Sequence, residues 1–211
     1  MKYILLIILL EMSTMVTAQS FELKNGDLIF QEACPDNKEN PIKEVTGSIG
    51  DFQFTHIGIV YIDSNDSVFV LEAIHPKVVL STLGEYLHPK DKDCPPISVV
   101  GRLKPEYHSL IPKALEIGFT LIGKDYDYGF VLGNNMYYCS ELVYDILKQA
   151  NNGKEVFPLN IMTFKSKEMG QTTQGWIDYF ESRDLPIPEG ELGINPGAMS
   201  KSKVIDIIHI F

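Results

Sequence analysis

The chain has 211 residues, 45% of them hydrophobic and 22% charged, with a formal net charge of -10. That composition suits one globular domain with a substantial core and excludes a disordered chain. The acidity argues against a nucleic-acid face, which needs clustered Lys and Arg, and equally against electrostatic adhesion to an anionic membrane.

Met1-Lys2 is a short positive start, Tyr3 to Leu10 is an apolar run, and Met12 to Ala18 carries small residues, with Val16 and Ala18 suited to the two positions before a signal-peptidase cut. The run is too short for a permanent span. Residues 1–18 are therefore expected to be a signal peptide and residues 19–211 a single exported domain, periplasmic or secreted. A retained N-terminal anchor helix is the alternative, and no transmembrane span is expected in the mature chain.

Gly26-Asp27-Leu28-Ile29-Phe30 reads as a strand entered by a turn, and residues 34–50 as a loop rich in Pro, Asn, Gly and Ser. Phe52 to Ile62 is a β-branched and aromatic run, hence a buried strand. Asp63-Ser64-Asn65-Asp66 is a turn signal and Ser67 to Ile74 the returning strand of a hairpin. Lys77 to Ser81 and Ile97 to Leu103 are further strands, separated by a polar, Pro-rich stretch at 88–96. The period then changes. Leu110, Ile111, Ala114, Leu115, Gly118 and Leu121 recur at helical spacing, and a second helix is expected from Tyr138 to Ala150, stopped by Asn151-Asn152-Gly153. A short helix near Trp176 to Ser182 and a terminal strand from Val204 to Phe211 complete an α+β pattern with a largely antiparallel sheet.

Three cysteines are present: Cys34, Cys94 and Cys139. An odd count in an exported chain leaves at least one thiol free or paired with another chain. Cys34 and Cys94 precede prolines in loops, and spacing leaves a disulfide between them open. There is no CxxC or HExxH, so no metal and no cofactor is expected.

Cys139 falls in the first turn of the second helix, on the stripe of Leu142, Val143 and Ile146. The positive end of the helix favours a thiolate, and its free N–H groups can bind an oxyanion. An inert buried cysteine is the plain alternative. His56 lies within the apolar strand Phe54 to Val60 and needs a polar partner there. Gly58 permits a close approach. Glu72 is a charge in the apolar strand Val70 to Ile74. A turn centred on Ser64 sets His56 opposite Glu72 on one face, where the carboxylate would orient the imidazole. Cys139 as nucleophile and His56 as its base then define a thioester mechanism. Asp27 and Asp127 are read as turn caps or groups near the site, and Ser140 as a helix cap. His75, His88 and His108 are assigned to strand ends and loops.

In this order, Gly26-Asp27-Leu28-Ile29-Phe30, Thr55-His56-Ile57-Gly58-Ile59-Val60, Glu72, Tyr126-Asp127-Tyr128-Gly129-Phe130 and Tyr138-Cys139-Ser140-Glu141-Leu142-Val143 resemble the YiiX/YebB-like family. These are circularly permuted, papain-like cysteine hydrolases related to NlpC-type peptidases, with the histidine ahead of the cysteine. The resemblance extends to Asn195-Pro196-Gly197. It implies a permuted papain-like fold, a small antiparallel β-barrel or sheet packed on helices, with a triad of Cys139, His56 and Glu72. The papain-type oxyanion glutamine is missing. Tyr138, Tyr128 or Ser140 stand as substrate-binding or oxyanion residues, the two tyrosines having packing as their other reading. The implied substrate is a cell-wall peptide. Resemblance of permuted members to lecithin–retinol acyltransferases makes an acyl-lipid or N-acyl amide the alternative, and a non-catalytic cell-wall-binding module the third reading. An apolar groove beside Cys139 would favour the acyl amide.

Overall fold

The computed structural model describes residues 21–34, 40–90 and 94–211; the expected signal peptide lies outside them. Gly26, with φ of 84°, turns the chain into β1 (Leu28–Glu32). Asp27 caps that turn by accepting the Lys24 N–H at 2.8 Å. The same carboxylate takes Nε and Nη2 of Arg102 at 2.7 Å each, a paired geometry that satisfies a group only 1% exposed. Next come α1 (Pro41–Val45), β2 (Phe54–Ile62), β3 (Val68–Ile74), β4 (Lys77–Thr82), α2 (Leu83–Leu87) and β5 (Ile97–Leu103). A 3-10 turn over Pro105–Leu110 leads into α3 (Ile111–Thr120) and α4 (Cys139–Ala150). The remaining elements are β6 (Asn160–Ile161), α5 (Gln174–Glu181), β7 (Leu192–Gly193), α6 (Pro196–Ser200) and β8 (Ile205–Ile210).

Six strands form one antiparallel sheet in the order β4-β3-β2-β1-β5-β8, and β6 pairs with β7. The sheet is open, with β4 and β8 at its edges, so the barrel wording of the expected fold is too strong. The loop expected over residues 34–50 contains α1, because Asn40 accepts the Ile42 N–H and Pro41 stands at the first helical position. The short helix α2 has a capping box made by Thr82 and Glu85. Asn195-Pro196-Gly197 is likewise a helix start: Asn195 caps α6.

The hairpin register differs from that of a turn centred on Ser64. Ile59 pairs with Leu71, Val60 with Val70, Tyr61 with Phe69 and Ile62 with Val68, which centres the turn on Asn65. Asp63 makes the difference: its carbonyl accepts the Asp66 N–H, and its side chain accepts those of Asn65 and Ser67. Continuing this register puts Glu72 across from Gly58 and leaves His56 on the diagonal. The slip is an even one, so both residues stay on one face. A Cβ on Gly58 would strike Val70 Cγ1 and lie 3.1 Å from the Tyr86 ring and 3.2 Å from the Leu71 carbonyl.

The main core lies between the sheet and helices α3 and α4. Leu28, Phe30, Ile57, Ile59 and Leu71 meet Ala114, Leu142, Val143, Ile146 and Leu147 there, all effectively removed from water. A second cluster of Ile29, Val60, Val70, Val100 and Tyr86 covers the other face under α2. Cys34 and Cys94 form a disulfide across Cα atoms 6.0 Å apart. No helix among the described residues is long and apolar enough to cross a membrane.

Candidate active site

Tyr138 is the N-cap of α4, with extended backbone and no side-chain capping bond, so Cys139 is the first helical residue. Its sulfur sits where the helix offers unsatisfied N–H groups. Two hydrogen bonds pin this helix start. The Tyr138 hydroxyl accepts the Ile194 N–H at 3.1 Å, and the Ser140 hydroxyl donates to the Ile194 carbonyl at 3.0 Å. Ser140 therefore anchors the helix to the chain before α6 and does not cap it. Glu141, at the third helical position and 3% exposed, accepts the Gly133 N–H at 3.0 Å. Burial pushes its carboxyl up to about 8.

Cys139 is 6% exposed and has no disulfide partner. His56 reaches it from β2. His56 Nε2 is 2.6 Å from Glu72 Oε2, and Cys139 is a further side-chain hydrogen-bonding neighbour of the ring. Burial alone would lower the imidazole pKa. Hydrogen bonding to Cys139 and Glu72, together with their negative charge, reverses this and lifts it to about 10. The favoured arrangement is thus an imidazolium held between the Glu72 carboxylate and the Cys139 sulfur. Glu72 is itself fixed: the Ser81 hydroxyl donates to its Oε1 at 2.6 Å. On β4, Val79 pairs with Glu72, so Ser81 takes the next position on the same face. The result is a continuous line, Ser81–Glu72–His56–Cys139, carried by three adjacent strands and one helix. Below it, the Tyr86 ring lies 5.6 Å from the His56 ring and its hydroxyl donates to the Ile29 carbonyl at 2.6 Å.

A cavity of about 260 Å³ opens beside the sulfur. Its walls include Val45, Tyr126, Phe130, Tyr138, Phe164 and Trp176. These side chains make the lining mostly apolar. Tyr126 is the tyrosine that sequence reasoning passed over. It is buried, and burial followed by the negative charge of Cys139 puts its hydroxyl well above the usual range. Tyr138 and Ser140 also line this cavity, but their hydroxyls are engaged by Ile194. Tyr128 does not line it. Its ring packs on Tyr126 and His75 at centroid distances of 5.2 and 4.8 Å, with the Arg183 guanidinium over it at 5.4 Å.

The other polar candidates lie apart from this line. Asp127 accepts the N–H groups of Gly129 and Val131, shaping the turn behind Tyr126. His108 bonds to the Leu103 carbonyl, and His88 is the C-cap of α2. Ser81 was recoverable in principle, as a polar residue closing the apolar run Val78-Val79-Leu80. Tyr126 carried no local signal distinguishing it from Tyr128.

Residues 22–209 match the model of a family described as permuted papain-like amidase enzymes, YaeF/YiiX, C92. Among solved structures, the chain is similar to the metalloprotein YiiX from Escherichia coli O157:H7. The two share 22% identity at a TM-score of 0.67, over 90% of this chain and 98% of that one, a likeness of fold. No curated protein sequence matches.

Proposed function

The chain belongs to the permuted papain-like amidases, a family of cysteine amide hydrolases, and from that membership we propose that Cys139, His56 and Glu72 are its catalytic triad and an N-acyl amide its substrate. One observation carries the triad: the imidazole that pairs with Glu72 at 2.6 Å is also the hydrogen-bonding neighbour of a sulfur at a helix N-terminus.

The chemistry follows from these positions. The Cys139 thiolate attacks the amide carbonyl carbon, and the electron pair of the C=O bond moves to oxygen. The Cys139 N–H, free at the helix start, and the Tyr126 hydroxyl, buried beside it, are the proposed oxyanion donors. His56 as imidazolium gives its proton to the nitrogen as the C–N bond breaks, releasing an amine and leaving a thioester. Neutral His56 then takes a proton from water, whose oxygen attacks the thioester. Collapse frees the carboxylic acid and restores the thiolate.

The mostly apolar cavity beside Cys139 favours an acyl chain as part of the substrate. A cell-wall peptide remains the second reading, favoured by two buried polar atoms on the same walls. The Trp176 Nε1 donor and the Asn160 Oδ1 acceptor have no hydrogen-bond partner among the described residues. An amide group carries the complementary acceptor and donor, so such groups would gain there.

The name of the structural neighbour raises the question of a metal. Among the described residues no group of three or more His, Cys, Asp or Glu side chains is disposed to hold one, so no step is routed through a metal. Export is a further part of the proposal. The leader pattern of residues 1–18 supports it, as does the Cys34–Cys94 disulfide, a bond that persists in oxidising compartments. The reading is tested by profiling purified protein against acyl amides and cell-wall fragments beside a Cys139→Ala control. Turnover in the wild type that vanishes in the control is expected. Activity persisting in the control would move the chemistry elsewhere.

A further inference from the structure

The lysines around the cavity fall into two groups. Lys43 and Lys165 are each paired with a carboxylate, Glu32 and Glu189, at 3.5 Å. Lys167 and Lys201 have no ion pair or hydrogen bond from their ammonium groups among the described residues. Yet the two converge. The point a Cβ would occupy on Gly47 lies 3.0 Å from Lys167 Nζ and 3.4 Å from Lys201 Nζ. Gly47 and Lys201 line the same cavity as Cys139, and both lysines are exposed, so the pair sits where that cavity meets solvent.

Two ammonium groups held this close repel each other, and an anion between them turns repulsion into attraction. The contrast with the rest of the molecule is informative. A chain of net charge -10 repels anions at a distance, so admitting one beside the nucleophile requires a local reversal of sign. Lysines are flexible point charges without the flat fork of arginine, and they suit a carboxylate and a phosphate alike.

We propose that Lys167 and Lys201 form an anion clamp over Gly47 that selects amides bearing a carboxylate or phosphate next to an apolar portion. The proposal rests on the reading of this cavity as the substrate site. The apolar walls hold the hydrocarbon, the clamp holds the anion, and together they orient the molecule at the cavity beside Cys139.

Calorimetric binding to the full-length Cys139→Ala protein tests the clamp without needing turnover. Three probes share a lauroyl chain: N-lauroylglycine with a carboxylate, lauroyl lysophosphatidic acid with a phosphate, and neutral N-lauroylethanolamine. Tighter binding of an anionic probe than of the neutral one, by about tenfold at low salt, is expected. That preference should shrink as ionic strength rises and fall to near unity when Lys167→Gln and Lys201→Gln are combined. Whichever anionic probe gains more identifies the head group. Equal binding of all three, no binding of any, or a preference that survives the double substitution overturns the clamp. A wild-type protein that hydrolyses nothing while its Cys139→Ala form keeps the anion preference would retain the clamp and remove the hydrolase.

Discussion

His56 Nε2 stands 2.6 Å from Glu72 Oε2 although the two residues are diagonal, not opposed, across the β2–β3 ladder. The two side chains reach each other along the diagonal on one face of the sheet. The carboxylate is held from its far side by Ser81, so the imidazole is aimed by strands and not by a loop.

Glu72→Gln keeps an acceptor for His56 but removes the negative charge. The His56 pKa, lifted to about 10 by hydrogen bonding and charge from Cys139 and Glu72, should then fall. Because the imidazolium protonates the departing amine, the descending limb of kcat/KM against pH should move to lower pH, with a loss of roughly 100-fold at its maximum. A descending limb that stays in place would separate Glu72 from the catalytic step.

The same raised pKa makes a stability prediction. A histidine whose folded value lies above its ordinary 6.5 contributes stability in full below 6.5, and loses it as pH climbs through about 10. The difference in Tm between wild type and His56→Gln should therefore favour the wild type most near pH 6 and shrink steadily toward pH 10. A difference that does not change with pH would contradict the charged arrangement.

Glu141 behaves in the opposite way. Its folded value, pushed up from 4.5 to about 8 by burial, means that stability declines as pH rises from 4.5 through 8. Glu141→Gln keeps an oxygen for the Gly133 N–H and has no charge to bury. Thermal melts from pH 5 to pH 9 should show the variant gaining on the wild type throughout that window. Parallel curves would place the Glu141 carboxylate in a better-solvated setting.

Gly58→Ala tests the packing beneath the triad. The added methyl would meet Val70, the Tyr86 ring and the Leu71 carbonyl. Overpacking of this kind costs about 1–3 kcal/mol, and here it also pushes on the strand that carries His56. Urea melts should report that loss, with kcat/KM falling in the protein that remains folded. A neutral effect on both would show that the sheet yields more readily than its contacts indicate.

Much of this molecule was legible in one dimension. The apolar, β-branched and aromatic runs and the turn between them placed β2, β3 and β5 within a residue or two, and the helical stripe from Leu142 to Ala150 placed α4, because both signals arise from residues close in the chain. His56 and Glu72 stood out as polar groups in apolar strands, and Cys139 as a thiol at a helix start. Other features had no local signature. The short helices α1 and α2 are capped by single side chains inside stretches that look like loop or unassigned chain. The two-residue slip of the hairpin depends on how Asp63 arranges its turn, which composition does not specify.

By itself, the order of residues determined where the long strands and the helices α3 and α4 run, and which three side chains, Cys139, His56 and Glu72, stand out in apolar surroundings. Only the tertiary structure decided that they do meet, that Ser81 stands behind Glu72 and Tyr126 beside Cys139, that Cys34 bonds to Cys94, and that Lys167 and Lys201 converge on Gly47. The reason is range. Backbone preference and hydrophobic period act over a few residues, whereas these contacts join residues on different elements, from 9 positions apart for Ser81 and Glu72 to 60 for the two bridged cysteines and beyond, and their geometry exists only once the sheet and α4 have packed.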